Sequence, residues 1–198
     1  DVHSIAKGDP SKPSVMLKGL PEPFAKRSVE GDLGMRYSSE ALVETAGRRL
    51  FNYLGWTDDK VAYQLGLCKE DPWRIPQTQE ETKFDVAMGR MAVSLAVDRH
   101  VGTLEVVYTP FGATYVQHGK DLTQLPVVIG TGGVLLYHPD ASEILRGAVF
   151  NPEEPTILKP QKAHFYLDKE YILAAMGLLR EVAPQVALRM MKKYVIKL

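Results

Sequence analysis

The run Val127-Val128-Ile129-Gly130-Thr131-Gly132-Gly133-Val134-Leu135-Leu136 constrains this chain more than any other stretch. A buried-strand pattern meets three glycines within four positions and then turns apolar again. A fold that accepts it must set a strand, a tight turn and a helix start in succession, with almost no side chains at the bend. Glycines so placed permit positive φ and remove the side chains that would hold a phosphate or sugar away from the backbone. Strand-to-helix turns also favour glycine on steric grounds alone, so two readings stand, close packing and contact with a nucleotide.

The 198 residues, 45% hydrophobic and 24% charged, suffice for one large domain or two small ones. Twenty-four basic residues balance twenty-four acidic ones, so no net field selects nucleic acid or an anionic membrane as partner. No apolar run approaches the roughly eighteen residues of a membrane span. The start, Asp1-Val2-His3-Ser4, has neither a basic nor an apolar leader region, and the chain reads as soluble and cytoplasmic. A single cysteine, Cys68, rules out an internal disulfide framework. With no histidine near it in sequence, Cys68 reads as a small semi-buried residue near a helix end.

A strand is expected from Val2 to Ala6, a turn at Lys7-Gly8-Asp9-Pro10, and a second strand from Ser14 to Lys18 making a hairpin with the first. A chain that opens inside a sheet reads as part of a longer protein, the alternative being an ordinary edge strand. Deprived of a neighbour, that strand would admit edge-to-edge pairing with a second copy, a homo-oligomer. Ser38 and Ser39 offer an N-cap to a helix carrying Leu42, Val43, Ala46, Leu50 and Leu54 at helical spacing before Gly55. Thr57 opens a shorter helix to about Leu67. Asp71-Pro72-Trp73-Arg74-Ile75-Pro76 is then a constrained loop with Trp73 as packing anchor.

Thr78-Gln79-Glu80-Glu81 is a capping box for a long helix whose core face is Phe84, Met88, Met91 and Leu95. After Gly102 the period becomes strand-like, and a hairpin is expected from Thr103 to Thr109 and Ala113 to Gln117 around Pro110-Phe111-Gly112. Leu125 to Ile129 forms the strand before the glycine turn, and Pro139 to Glu143 opens a short helix to about Ala148. Asn151 to Pro160 reads as a surface connection. A strand near Ala163 to Leu167, a helix N-capped by Asp168 and running on to Leu179, and a last helix from Pro184 to Tyr194 complete the chain. The pattern is that of one α/β domain, a mixed sheet packed by helices.

His3, His100, His118, His138 and His164 never fall at metal-ligand spacing with one another or with Cys68, so no protein-held metal site is expected. Elbow, P-loop and dinucleotide fingerprints are absent from the sequence. A second glycine and acid cluster remains, Ser28-Val29-Glu30-Gly31-Asp32-Leu33-Gly34-Met35-Arg36. Carboxylates at a sharp bend can hold a magnesium-bound water or orient an attacking one. A solvated Gly-Asp turn is the alternative.

The order of Asp1-Val2-His3-Ser4, a hairpin, Glu30 to Arg36, a long helix and Gly130 to Gly133 resembles the second half of the actin-like ATPases, the superfamily of sugar kinases, heat-shock chaperones and actin. More closely, Lys18-Gly19-Leu20-Pro21-Glu22-Pro23, Glu30 to Arg36 and Gly130-Thr131-Gly132-Gly133-Val134-Leu135 resemble the MutL (GlmL) family, accessory proteins of cobalamin-dependent glutamate mutase. This family is distinct from the mismatch repair protein of the same name.

The resemblance implies an actin-like ATPase (ribonuclease H-like) α/β fold, with residues 1–198 forming the second, C-terminal domain around a cleft for ATP or ADP with magnesium. It implies that Asp1 to Ser4 is the tail of the second phosphate-binding hairpin, and that Glu30 and Asp32, with Gly31 and Gly34, lie near the phosphates as catalytic candidates. Gly130, Thr131, Gly132 and Gly133 would be the adenosine motif. Arg90 and Ser94, four apart on one helix face, would flank adenine, a surface pair being the alternative.

Asp168 with Ala174, Ala175 and Gly177 resembles an interdomain helix that lets two halves rock, although a cap and tight packing explain it as well. The first phosphate motif and most of the second are missing, so this chain alone is expected not to hydrolyse ATP efficiently. The implied role of the whole protein is that of a chaperone-like factor reactivating a cobalamin-dependent mutase, glutamate mutase or an aminomutase. A sugar or acetate kinase-type phosphotransferase and an interaction module that binds no nucleotide are the other readings.

Overall fold

The computed structural model describes residues 1–110 and 112–198, so Phe111 of the expected hairpin turn lies outside the described residues. Its axis is α4 (Gln79–His100), whose start is fixed as the sequence suggests: Glu81 N–H donates to Thr78 Oγ1 at 3.1 Å. The return bond is shifted by one residue, for the Glu81 carboxylate accepts from Gln77 N–H at 3.1 Å.

Buried residues point from α4 in two directions. Phe84, Ala87, Met88, Met91, Leu95 and Ala96 meet α1 (Ser39–Ala46), α2 (Arg48–Leu54) and α3 (Asp58–Glu70) through Leu42, Leu50, Leu54, Val61 and Cys68. Val86 joins Leu135, Ile144, Leu145 and Leu167 of the opposite layer, and Val97 with Val101 joins Leu122 and Ala148. A helix covered on both sides needs a wide apolar stripe, which is why Met fills it alongside Phe and Leu.

Among the described residues the strands form three small sheets. β1 (Val2–Ile5) pairs antiparallel with β3 (Ala25–Ser28); β2 (Val15–Lys18) lies parallel to β5 (Gly112–His118), which pairs antiparallel with β4 (Thr103–Thr109). The third sheet has order β6-β7-β8, with β6 (Val127–Gly130) parallel to β7 (His164–Asp168) and β8 (Val195–Lys197) antiparallel to it. The protein is α/β with mixed pairing. Behind β6, α5 (Gly133–Tyr137), α6 (Ala141–Leu145) and a 3₁₀ turn (Arg146–Ala148) return along α4; α7 (Leu173–Leu179) and α8 (Pro184–Tyr194) follow β7.

Several expectations are corrected. β1 and β2 do not make a hairpin, because the intervening loop is tied to the end of β5: Gly8 O accepts from Asp121 N–H at 2.9 Å and from Gln117 Nε2 at 2.8 Å. The helix expected through Leu54 breaks at Gly47, whose φ of 48° ends α1 and starts α2. Ser38 does not cap α1 with its side chain; its hydroxyl donates to Gly31 O at 3.0 Å. Trp73 is 83% exposed rather than a packing anchor, and Trp56 instead stacks on Phe84.

The connection Asn151 to Pro160 is not superficial at its end. Lys159 is buried, with Nζ 2.5 Å from Asp98 and donating to Ser94 Oγ and Gly147 O. Asp98 also pairs with Arg49, which reaches Glu154. A proline-rich composition signals an irregular backbone, not exposure. No helix among the described residues is long and apolar enough to cross a membrane.

Candidate functional site

Two segments carried the candidate chemistry, and α4 separates them. The glycine turn lies at the carboxyl end of β6 beside the carboxyl end of β7, where parallel strands of open α/β sheets leave room for ligands. Its glycines serve different ends. Gly130 is buried, and a Cβ there would meet Leu135 Cδ1 at 2.7 Å and Leu145 Cδ2 at 2.9 Å. Packing alone therefore explains Gly130.

Gly132 has φ 114°, and neither Gly132 nor Gly133 has a heavy atom within 4 Å of its Cβ position. The bend is left-handed and open. Leu135 and Leu136 N–H both donate to Gly132 O at 3.1 Å, closing the first turn of α5, while the earlier N–H groups of that turn have no intrahelical acceptor. Thr131 is exposed, yet its hydroxyl donates to Asp168 Oδ2 at 3.1 Å. Asp168 is fully buried and also accepts from the N–H groups of Ile172 and Leu173, each at 3.0 Å. It therefore caps α7 from five residues before the helix's first residue, which is Leu173, not Lys169.

The acid cluster stands at the other end of α4. Glu30 and Asp32 are both held by Arg99, at 2.6 Å and 2.8 Å. Gly31 has open space beside it, and a Cβ at Gly34 would stand 3.3 Å from the Ser38 side chain. Arg99 stands thirteen residues beyond Val86, whose buried cluster includes Leu135 behind the glycine turn, a rise of about 20 Å along the helix axis between those two residues of α4. No hydrogen bond or ion pair among the described residues joins the two. Neither is a cluster of three or more His, Cys, Asp or Glu side chains able to hold a metal ion present among them.

Arg90 and Ser94 do share one face of α4, and both have partners inside the fold. Arg90 pairs with Glu143 and lies 4.9 Å over the Tyr53 ring, while Ser94 accepts from Lys159. Burial first, then the bond its hydroxyl donates to Glu143, pushes the Tyr53 phenol up to about 12. At Gly147 the 3₁₀ turn passes so near α4 that a Cβ would stand 2.4 Å from Arg90 O.

The model of the MutL protein family matches residues 1–195. The chain belongs to the MutL family. It is 52% identical over 201 residues to Protein MutL of Clostridium tetanomorphum, an alignment that takes in all of this chain and 43% of that relative. The chain thus spans less than half the length of the curated relative it matches. No solved structure is significantly similar to it.

In this member of the MutL family the residues that organise both segments include several that local patterns did not single out. Arg99 is 67 positions from Asp32 in sequence, and nothing local marks it as the partner. Arg36, at the end of the acid cluster, donates to both Asp85 oxygens, at 3.0 and 2.5 Å. That pair had a signal, because Asp85 interrupts an apolar stripe between Phe84 and Val86, and a buried charge needs a partner. Cys68 is buried nearby, and burial pushes its thiol up, away from the reactive thiolate.

Proposed function

We propose that this chain is the nucleotide-binding half of an actin-like ATPase that reactivates a cobalamin-dependent mutase, glutamate mutase or an aminomutase. The observation that carries the reading is the open backbone at Gly132 and Gly133, set at the carboxyl ends of two parallel strands and free of any side chain that would fill it. Membership of the MutL family supports it, and the mutase partner follows from the family resemblance.

The residues present fit ATP or ADP in one respect, a cradle that any Cβ would partly occupy. Gly132 and Gly133 would face the sugar and the nearest phosphate, and Thr131 would set the shape of the turn through its bond to Asp168. Bound nucleotide supplies the differential affinity for open and closed states that drives domain movement. Glu30 and Asp32 would position water only if the phosphates reach from the glycine turn toward the far end of α4, and only once Arg99 releases at least one of them. Arg90 and Ser94 would flank the base only by exchanging the partners they hold within the fold. The phosphate-binding residues missing from this chain would come from the rest of the protein.

Isothermal titration of ATP and ADP with magnesium against the full-length protein tests the reading, with Gly132→Val as control. Wild type is expected to bind and the variant to lose binding. If wild type takes up neither nucleotide, the ATPase reading fails; turnover that depends on an added phosphoacceptor would replace it with a phosphotransferase.

A further inference from the structure

One carboxylate joins the glycine turn to the helix that follows the neighbouring strand. Asp168 sits at the end of β7 with no exposed surface, and its oxygens take three donors from two parts of the fold. Oδ2 accepts from the Thr131 hydroxyl in the turn and from Leu173 N–H, and Oδ1 accepts from Ile172 N–H. A buried carboxylate is stable only while its oxygens are hydrogen-bonded, so losing one donor disturbs what the others hold.

The start of α7 depends heavily on this residue. Between β7 and α7 the chain passes through Tyr171, which has φ 55° and is the non-glycine residue with positive φ among those described. Such a conformation persists only where neighbours impose it, and Tyr171 N–H also bonds back to Asp168 O at 3.3 Å. Beyond that point Ala174, Ala175, Gly177 and Leu178 are exposed, leaving Met176 as the buried residue of α7.

We propose that Asp168 is a positioning residue that couples occupancy of the glycine turn to the order of the first turn of α7. The inference rests on the nucleotide reading above. A ligand held along Gly132 and Gly133 fixes the Thr131 backbone, and the Thr131 hydroxyl then holds the Asp168 rotamer that caps Ile172 and Leu173. By reciprocity, loosening α7 weakens ligand binding by the same factor.

Hydrogen exchange at the Ile172 and Leu173 amides of the full-length protein, with and without ADP and magnesium, tests the coupling. ADP is expected to slow exchange there roughly fivefold or more. Unchanged exchange in wild type whose ADP binding is shown by calorimetry overturns the coupling and leaves the nucleotide reading intact. Absence of calorimetric binding sinks that reading instead, and with it the premise here. At ADP concentrations that saturate each variant, Thr131→Ser should keep the slowing and Thr131→Val should lose it. Equal slowing in the two variants would show that the hydroxyl is not the route. A cap with only a structural role would make Thr131→Val alter exchange equally with and without ADP, which would also overturn the proposal.

Discussion

Arg99 holds Asp32 in a two-pronged grip, Nη1 to Oδ1 and Nη2 to Oδ2, both at 2.8 Å, and spends the same Nη1 on Glu30. One cation thus stands between two carboxylates that the sequence alone presents as free. The hydrogen bonds from Arg99 hold the Asp32 carboxyl below its usual 3.8, and the carboxylates in turn keep the guanidinium more firmly charged.

Arg99→Ala should return the Asp32 titration midpoint toward 3.8, read by NMR of its carboxyl carbon. The sign follows from linkage: a lowered carboxylate stabilises the fold above its unfolded value, and that contribution disappears as pH falls through the lower folded value. An unmoved midpoint would mean the bidentate contact is not populated. If Asp32 also positions water, Asp32→Asn should melt near wild type yet lose turnover in the full-length protein; an equally unstable variant would argue for a folding role.

The glycines of the turn should separate by position. Gly130→Ala forces a methyl group onto Leu135 and Leu145 and should cost about 1–3 kcal/mol of unfolding free energy. Gly133→Ala meets nothing within 4 Å, so its denaturation midpoint should match wild type while ADP affinity falls. Loss of stability at Gly133 with intact affinity would reverse the assignment of which glycine is structural.

Breaking the Arg36–Asp85 pair should be expensive. Asp85 is 6% exposed and accepts both guanidinium prongs, so Asp85→Ala strands a cation beside Phe84 and should cost about 3–5 kcal/mol in urea unfolding. Adding Arg36→Met should recover much of that loss, because the stranded charge goes with it. A double variant no more stable than the single one would contradict this account.

His100 should give the fold a pH-dependent term. Its ring lies 2.8 Å from both Ser28 Oγ and Ser4 Oγ, and burial, reinforced by Lys26 and Lys120, pushes it from 6.5 down to about 4. The unfolded chain takes up the proton first as pH falls. Stability should therefore drop between about pH 6.5 and 4, by at most about 3 kcal/mol from this group. His100→Gln should flatten that part of the profile in chemical unfolding; an unaltered slope would remove His100 as its source.

What the sequence revealed and what it hid divide along a physical line. Local signals were legible: the Thr78 capping box, the apolar face of α4, the β4–β5 hairpin and the bounds of α8 all follow from rules acting within a few residues. Pairing between distant segments was not. Nothing local says that β1 prefers β3 to β2, because the choice is made by a loop anchored on Gly8 and the end of β5. The same holds at the site, where glycine spacing marked the turn but could not tell Gly130, shaped by Leu145, from Gly133, shaped by open space.

The double-sided burial of α4 has a mechanical consequence. Since half of its twenty-two residues are buried, eleven in all, and neighbours press on opposite faces, the helix cannot roll to favour one layer without opening the other. Strain arising at the glycine turn would therefore reach α1, α2 and α3 as a push on a stiff beam. Flexibility is left to elements outside that clamp, α7 among them, which rests on α8 and on the Asp168 cap.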